Sequence, residues 1–132
     1  MKKVIFIFSL LFLMACSPDN DNQFQLHLLT INEAITPTSL NSGGVDFITV
    51  KYTLPSPCYH FHSLYYEYQG TSRIVAVRAL EDLSTACSQV TVEEEYTFPL
   101  QVTQTEDYTF KFWKGKDSNG EDIFEEVIIP VN

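Results

Sequence analysis

A chain of 132 residues with 45% hydrophobic side chains is long enough to build one core, and folding at this size hides roughly two thirds of the unfolded surface. Eight basic residues against 17 acidic ones give a net charge of −9. That balance excludes a nucleic-acid surface, which needs a basic stripe, and argues against adsorption to anionic lipid.

The chain opens with Lys2 and Lys3, then an apolar run from Val4 to Leu13 interrupted only by Ser9, then Leu13-Met14-Ala15-Cys16. A charged start, a short apolar run and a small residue before a cut are the features of a secretory signal. A run of this length spans about 15 Å as a helix, half of a roughly 30 Å hydrocarbon core, so it is too short to anchor by itself. The Leu-x-Ala-Cys ending resembles the lipobox of bacterial lipoproteins. The resemblance implies that residues 1–15 are a signal peptide, that Cys16 is lipidated, and that the bilayer is a partner through the acylated Cys16. Several acyl chains hold a protein stably where one does so marginally. The alternative is an ordinary cleaved signal with a chance cysteine.

Ser17 to Asn22 offers nothing apolar except Pro18, so residues 16–23 are expected to be a flexible acidic tether. It is similar to the acidic stretch that follows the cysteine in Bacteroidetes-type lipoproteins. That likeness implies anchoring at the outer membrane, facing the periplasm or the outside; a plain spacer is the alternative. Loss of Lys2 and Lys3 with the leader leaves 6 basic residues against 17 acidic ones in the mature chain.

Alternation of apolar and polar residues governs the rest, residues 24–132, which suit one domain. Phe24, Leu26 and Leu28 predict a first strand. Residues 32 to 44 read as a polar connection. Ile48, Val50, Tyr52 and Leu54 predict a second strand, stopped by Pro55 and Pro57. The stretch CYHFHSLYYEY, residues 58 to 68, is the third. Gln69 to Ser72 turns it into a fourth, Arg73 to Leu80, and residues 81 to 86 form a loop. Val90, Val92, Tyr96, Phe98, Leu100 and Val102 keep one parity, broken only by Glu94. This predicts two strands, or one with a bulge near Glu93-Glu94-Glu95. Tyr108, Phe110 and Phe112 alternate with Thr109, Lys111 and Trp113. Asn119-Gly120 marks a hairpin into a last strand from Ile123 to Val131.

Seven or eight short strands with frequent turns predict an all-β, antiparallel two-sheet sandwich, with a small β-barrel as the alternative. With Cys16 reserved for lipid, Cys58 and Cys87 are an even pair in an oxidising compartment, and a disulfide follows. The segment TEDYTFKFWKG resembles the penultimate strand of bacterial immunoglobulin-like domains, with a tyrosine at its entry. The resemblance implies an immunoglobulin-like strand order, in which the strand of Trp113 neighbours the strand of the histidines.

The densest candidate site is the third strand. Unbroken alternation puts Tyr59, Phe61, Ser63, Tyr65 and Glu67 on one face and His60, His62, Leu64, Tyr66 and Tyr68 on the other. His60 and His62 would then lie on one side with Cβ atoms roughly 6.5 to 7 Å apart, close enough for one metal. Zinc wants three or four ligands, and His27 is read as lying in the opposite sheet, so no metal and no cofactor is expected. His62 and Ser63, on opposite faces, could not share a proton. No nucleophile elbow, phosphate loop or zincin helix occurs, and no catalysis is expected. Residues 116 to 122 lack glycine at the sixth position of a calcium loop and read as a hairpin turn.

The expected function is that of a non-catalytic, membrane-anchored lipoprotein of the bacterial cell envelope. It would bind an envelope protein or an extracellular ligand through a sheet face holding His60, His62, Tyr66, Lys111 and Trp113. An outward Trp113 would mark binding; folded over the sheet edge, it would merely cap the core. Two alternatives remain. One is an immunoglobulin-like protease inhibitor using loops 55 to 57, 81 to 86 and 114 to 122. The other is a metal-handling lipoprotein using His60 and His62.

Overall fold

The structure, a computed structural model, describes residues 23–132; the leader, Cys16 and nearly all of the tether lie outside the described residues. Eight strands follow in chain order: β1 (Phe24–Leu29), β2 (Glu33–Ile35), β3 (Val45–Leu54), β4 (Tyr59–Gln69), β5 (Ser72–Asp82), β6 (Val92–Gln101), β7 (Tyr108–Lys116) and β8 (Asp122–Ile129). They form two facing sheets, a β-sandwich as the alternation requires, and no helix occurs among the described residues.

The smaller sheet runs β2-β3-β6 and the larger one β4-β5-β7-β8, with β1 added to β5. Strand β5 organises the larger sheet. One of its edges takes β4 antiparallel. The other edge is shared: β1 pairs antiparallel with Val77 to Asp82, and β7 pairs parallel with Ser72 to Val75. This differs from the immunoglobulin-like order. Strand β5 stands between the histidine strand β4 and the tryptophan strand β7, and one pairing is parallel. The chain's end closes the sandwich, with the Leu40 amide donating to Pro130 O at 2.8 Å and the Asn132 amide to Leu40 O at 2.7 Å.

The core lies between the sheets. Ile48, Val50 and Tyr52 of β3 and Phe98 and Leu100 of β6 meet Val75, Val77 and Ala79 of β5 and Tyr108, Phe110 and Phe112 of β7. The three aromatic rings of β7 stack in a column with centroids 5.9 and 5.8 Å apart. At its head, the Tyr108 hydroxyl accepts the Thr103 amide at 3.0 Å, which pins the entry to β7 to the loop before it.

Two irregularities fall elsewhere than the alternation predicts. Strand β6 is a single strand whose register with β3 has no shift. Glu94 keeps the inward parity because it lies where the sandwich opens, and there it accepts the Tyr52 hydroxyl at 3.1 Å. The bulge sits instead in β4, between Phe61 and Ser63, with His62 as the extra residue. Strand β2, inside the supposed polar connection, is only three residues long, too short to show a period.

Cys58 and Cys87 form a disulfide with Cα atoms 5.8 Å apart, tying the start of β4 to the loop after β5. Opening this link across 29 residues should cost about 3.5 kcal/mol through the freed unfolded chain. Guanidinium unfolding of Cys58→Ala/Cys87→Ala against the oxidised protein measures it. A loss below about 1 kcal/mol would show that the loop does little to restrict the unfolded state.

Candidate functional site

The bulge at His62 redraws the predicted site. Before it, Tyr59 and Phe61 turn inward; after it, Leu64 and Tyr66 do so. Both halves of β4 thereby give aromatic rings to the interior. Phe61 stacks on Tyr96 at 4.3 Å and lies 5.9 Å from Tyr52, while Tyr66 meets Phe98 edge-on at 6.1 Å. Unbroken alternation would have sent one of these pairs into water.

The five residues expected on one face therefore separate. Tyr66 faces the interior and leaves the set. His60 is exposed opposite Leu80, toward the far end of β4. His62 is exposed at the bulge, with Nδ1 2.9 Å from Ser63 Oγ. The two side chains expected on opposite faces thus touch, because the extra residue breaks the alternation. This pair is solvent-exposed and lies outside the clefts that line the sandwich. His27 belongs to the same sheet as His60, not the opposite one, and its Nε2 lies 3.0 Å from a Glu81 carboxylate oxygen. Among the described residues, no three His, Cys, Asp or Glu side chains converge as metal ligands.

Lys111 and Trp113 do face outward, because Tyr108, Phe110 and Phe112 occupy the inward parity of β7. Trp113 lies on the open face of the larger sheet and does not fold over the edge. It lines a shallow concavity of about 250 Å³ with Tyr65 of β4, Ile74 and Ala76 of β5, Phe124 of β8 and Leu28 of β1. Trp113 is directly opposite Phe124, and Tyr65 directly opposite Ala76.

Polar groups hold these rings in place. The Trp113 indole N–H donates to Asp122 Oδ1 at 3.0 Å, and Lys116 Nζ donates to the same oxygen at 3.0 Å. Lys116 and then Trp113 hold the Asp122 carboxyl below its usual range. The Tyr65 hydroxyl donates to Glu67 at 2.6 Å, and that bond raises its pKa. Lys111 at the margin donates to Gln69 at 3.2 Å.

The apolar character extends beyond the concavity. Leu26 and Leu28 are each 49% exposed, Phe24 is 54% exposed and Ile128 is 66% exposed, all on outward parities of the larger sheet. Ile128 lies at the opposite end of the sheet from Phe24, beyond the Lys111–Glu126 pair, so the exposed apolar groups that continue the concavity are those of β1. The sequence held a signal for it: Phe24, Leu26 and Leu28 alternate like a core strand. Only the pairing of β1 shows that this parity points outward.

The hairpin at the rim behaves as its sequence predicts. Asp117 turns its carboxylate onto the Asn119 and Glu121 amides at 2.8 and 3.0 Å, and Gly120 takes φ +78°. Of the loops considered for inhibition, residues 81–82 belong to β5 and residues 114–116 to β7.

A module of two facing sheets, with no helix among its described residues, is a β-sandwich domain in architecture. The model of the family described as ORF11 beta-sandwich domain matches residues 48–128, and the chain belongs to that family. The match begins within β3 and ends within β8, leaving β1 and β2 outside it. No curated protein and no solved structure matches the sequence.

Tyr66, removed from the outward face, titrates in a distinctive way. Burial pushes its hydroxyl up to about 12, with nearby Arg73 pulling the other way. The folded state keeps it neutral while the unfolded state ionises near 10, so its contribution is complete below pH 10 and lost as pH rises toward 12. Tyr66→Phe should therefore lose less stability over that interval, by on the order of 2 kcal/mol. Urea unfolding of both proteins from pH 8 to 12 reads the difference; parallel curves would show that Tyr66 is solvated.

Proposed function

We propose that this chain is a lipid-anchored, non-catalytic binding or assembly module of the bacterial cell envelope. Cys16 carries the lipid, residues 16–23 form the tether, and the open face of the larger sheet makes the contact. One observation carries the reading of the face: Tyr65, Trp113, Phe124, Ile74 and Leu28 come together on the outside of a sandwich whose own core is already complete. Aromatic anchors held by fixed polar partners are the residue types that dominate protein interfaces. The Lys116–Asp122 pair and Lys111 give such a surface a polar rim. The lipobox-like leader supports the anchor, and the acidic chain leaves membrane attachment to the lipid rather than to charge. The contact set keeps Lys111 and Trp113 from the sequence-derived residues and replaces Tyr66 by Tyr65. His60 and His62 stay at its periphery.

Cys16→Ser should abolish incorporation of a palmitate label and move the protein from the membrane to the soluble fraction. A photo-crosslinking residue at Tyr65 should give a discrete envelope adduct that Trp113→Ala reduces at least tenfold. The same group at Glu95, on the smaller sheet, should give none. Adducts from Glu95 but not Tyr65 would move the contact to the other sheet. Unchanged membrane attachment in Cys16→Ser would remove the lipid.

A further inference from the structure

A second site lies between the sheets, away from the outward face. It occupies the open edge where β4 and β6 face each other without pairing. Leu64, Tyr66 and Tyr68 of β4 and Phe98 and Leu100 of β6 wall a cleft of about 350 Å³. That volume falls at the small end of pockets that take organic ligands. Its remaining wall includes Arg73 of β5.

Arg73 is the unusual member. It is 4% exposed, and the chain has 17 acidic residues, yet no carboxylate pairs with it among the described residues. Its Nη1 donates to Gly70 O at 3.0 Å and Ser72 O at 2.9 Å, and its Nη2 donates to Gln104 Oε1 at 3.0 Å. All three acceptors are neutral. They orient the guanidinium without cancelling its charge. The rings of Tyr68 and Tyr108 flank it, with centroids 4.3 and 5.0 Å from its central carbon. Of its five N–H groups these acceptors take three, and the Tyr66 hydroxyl lies within its reach as a further acceptor.

A buried charge without a counter-ion is costly, and an anion that paired with it would offset that cost. Here the charge is oriented by three acceptors and two rings and borders an open, mostly apolar cleft. We infer that the cleft binds a small organic carboxylate whose apolar or aromatic body lies between the β4 and β6 walls and whose carboxylate meets Arg73. A guanidinium fork matches a planar carboxylate. The acidic chain disfavours a dianion such as a phosphate ester, whose second charge Arg73 would leave uncompensated. Tyr66 and Phe98, already edge to edge, offer the walls for a ring.

The test uses the full chain in neutral detergent, with N-acetyl-phenylalanine as probe and N-acetyl-phenylalaninamide as its uncharged counterpart, at constant ionic strength. The acid should raise the thermal midpoint saturably, by several degrees when in large excess over its dissociation constant. The amide should not. The acid should also perturb the tyrosine absorption edge, since Tyr66 and Tyr68 wall the cleft. Arg73→Lys should weaken the effect at least tenfold and Tyr66→Phe several-fold. If Arg73→Lys does not fold, Tyr66→Phe carries the comparison through the absorption signal. Equal effects of acid and amide, or no effect of either, would overturn the inference.

Discussion

The column of Tyr108, Phe110 and Phe112 is the constraint on which the rest depends. All three rings are fully buried, stacked along one side of β7 at the centre of the sandwich. Large aromatic side chains carry more apolar area each than aliphatic ones, and these three are the largest fully buried side chains among the described residues. Because a strand alternates faces, burying them leaves Thr109, Lys111 and Trp113 on the other side. The core thus decides what the surface displays. Trp113 is outside because Phe112 is inside.

The same demand explains the bulge in β4. That strand carries two groups of apolar side chains out of phase with each other, Tyr59 and Phe61 before His62, Leu64 and Tyr66 after it. A regular strand could bury only one group. One extra residue lets both turn inward, at the cost of a local break in the ladder. His62 is the residue that absorbs the change, and its contact with Ser63 is a by-product. The density of histidines and tyrosines that makes this stretch look chemical thus has a packing cause. The bulge also sends Tyr65 outward, to the level of Ala76 and near Trp113, and Tyr66 inward, beside Arg73. One inserted residue therefore separates two surfaces: an apolar outward face and a cleft bordered by a buried cation.

Arg73 and Trp113 illustrate two ways of placing a polar side chain in an acidic chain. Trp113 and Lys116 share one carboxylate oxygen of Asp122, so the charges of that cluster cancel at the rim. Arg73 is held by neutral oxygens and keeps its charge. Both lie within residues 48–128, the span that the family model matches, whereas β1, which adds Phe24, Leu26 and Leu28 to the outward face, does not.

Most of the fold was legible along the chain. Seven strands and the Asn119-Gly120 hairpin rest on local signals, a period of two and a turn dipeptide, while the Cys58–Cys87 link follows from the two cysteines left once Cys16 is set aside. The alternation of Tyr108 to Trp113 puts Lys111 and Trp113 on the outer parity, but whether Trp113 stays on the face or folds over the edge needed the folded sheet. The tertiary structure decided the rest. Strand order is not local: β5 lies between β4 and β7 because β1 and β7 divide one of its edges, and no residue pattern announces that division. The bulge could be placed only by the opposite sheet, since Tyr52, Tyr96 and Phe98 decide which parts of β4 must be dry. Arg73 opens a strand that reads as ordinary alternation, and that no carboxylate among the described residues pairs with it appears only when the chain is folded. Periodicity reports how each strand divides between water and core; which strands then become neighbours is decided by how the two faces fill the space between them.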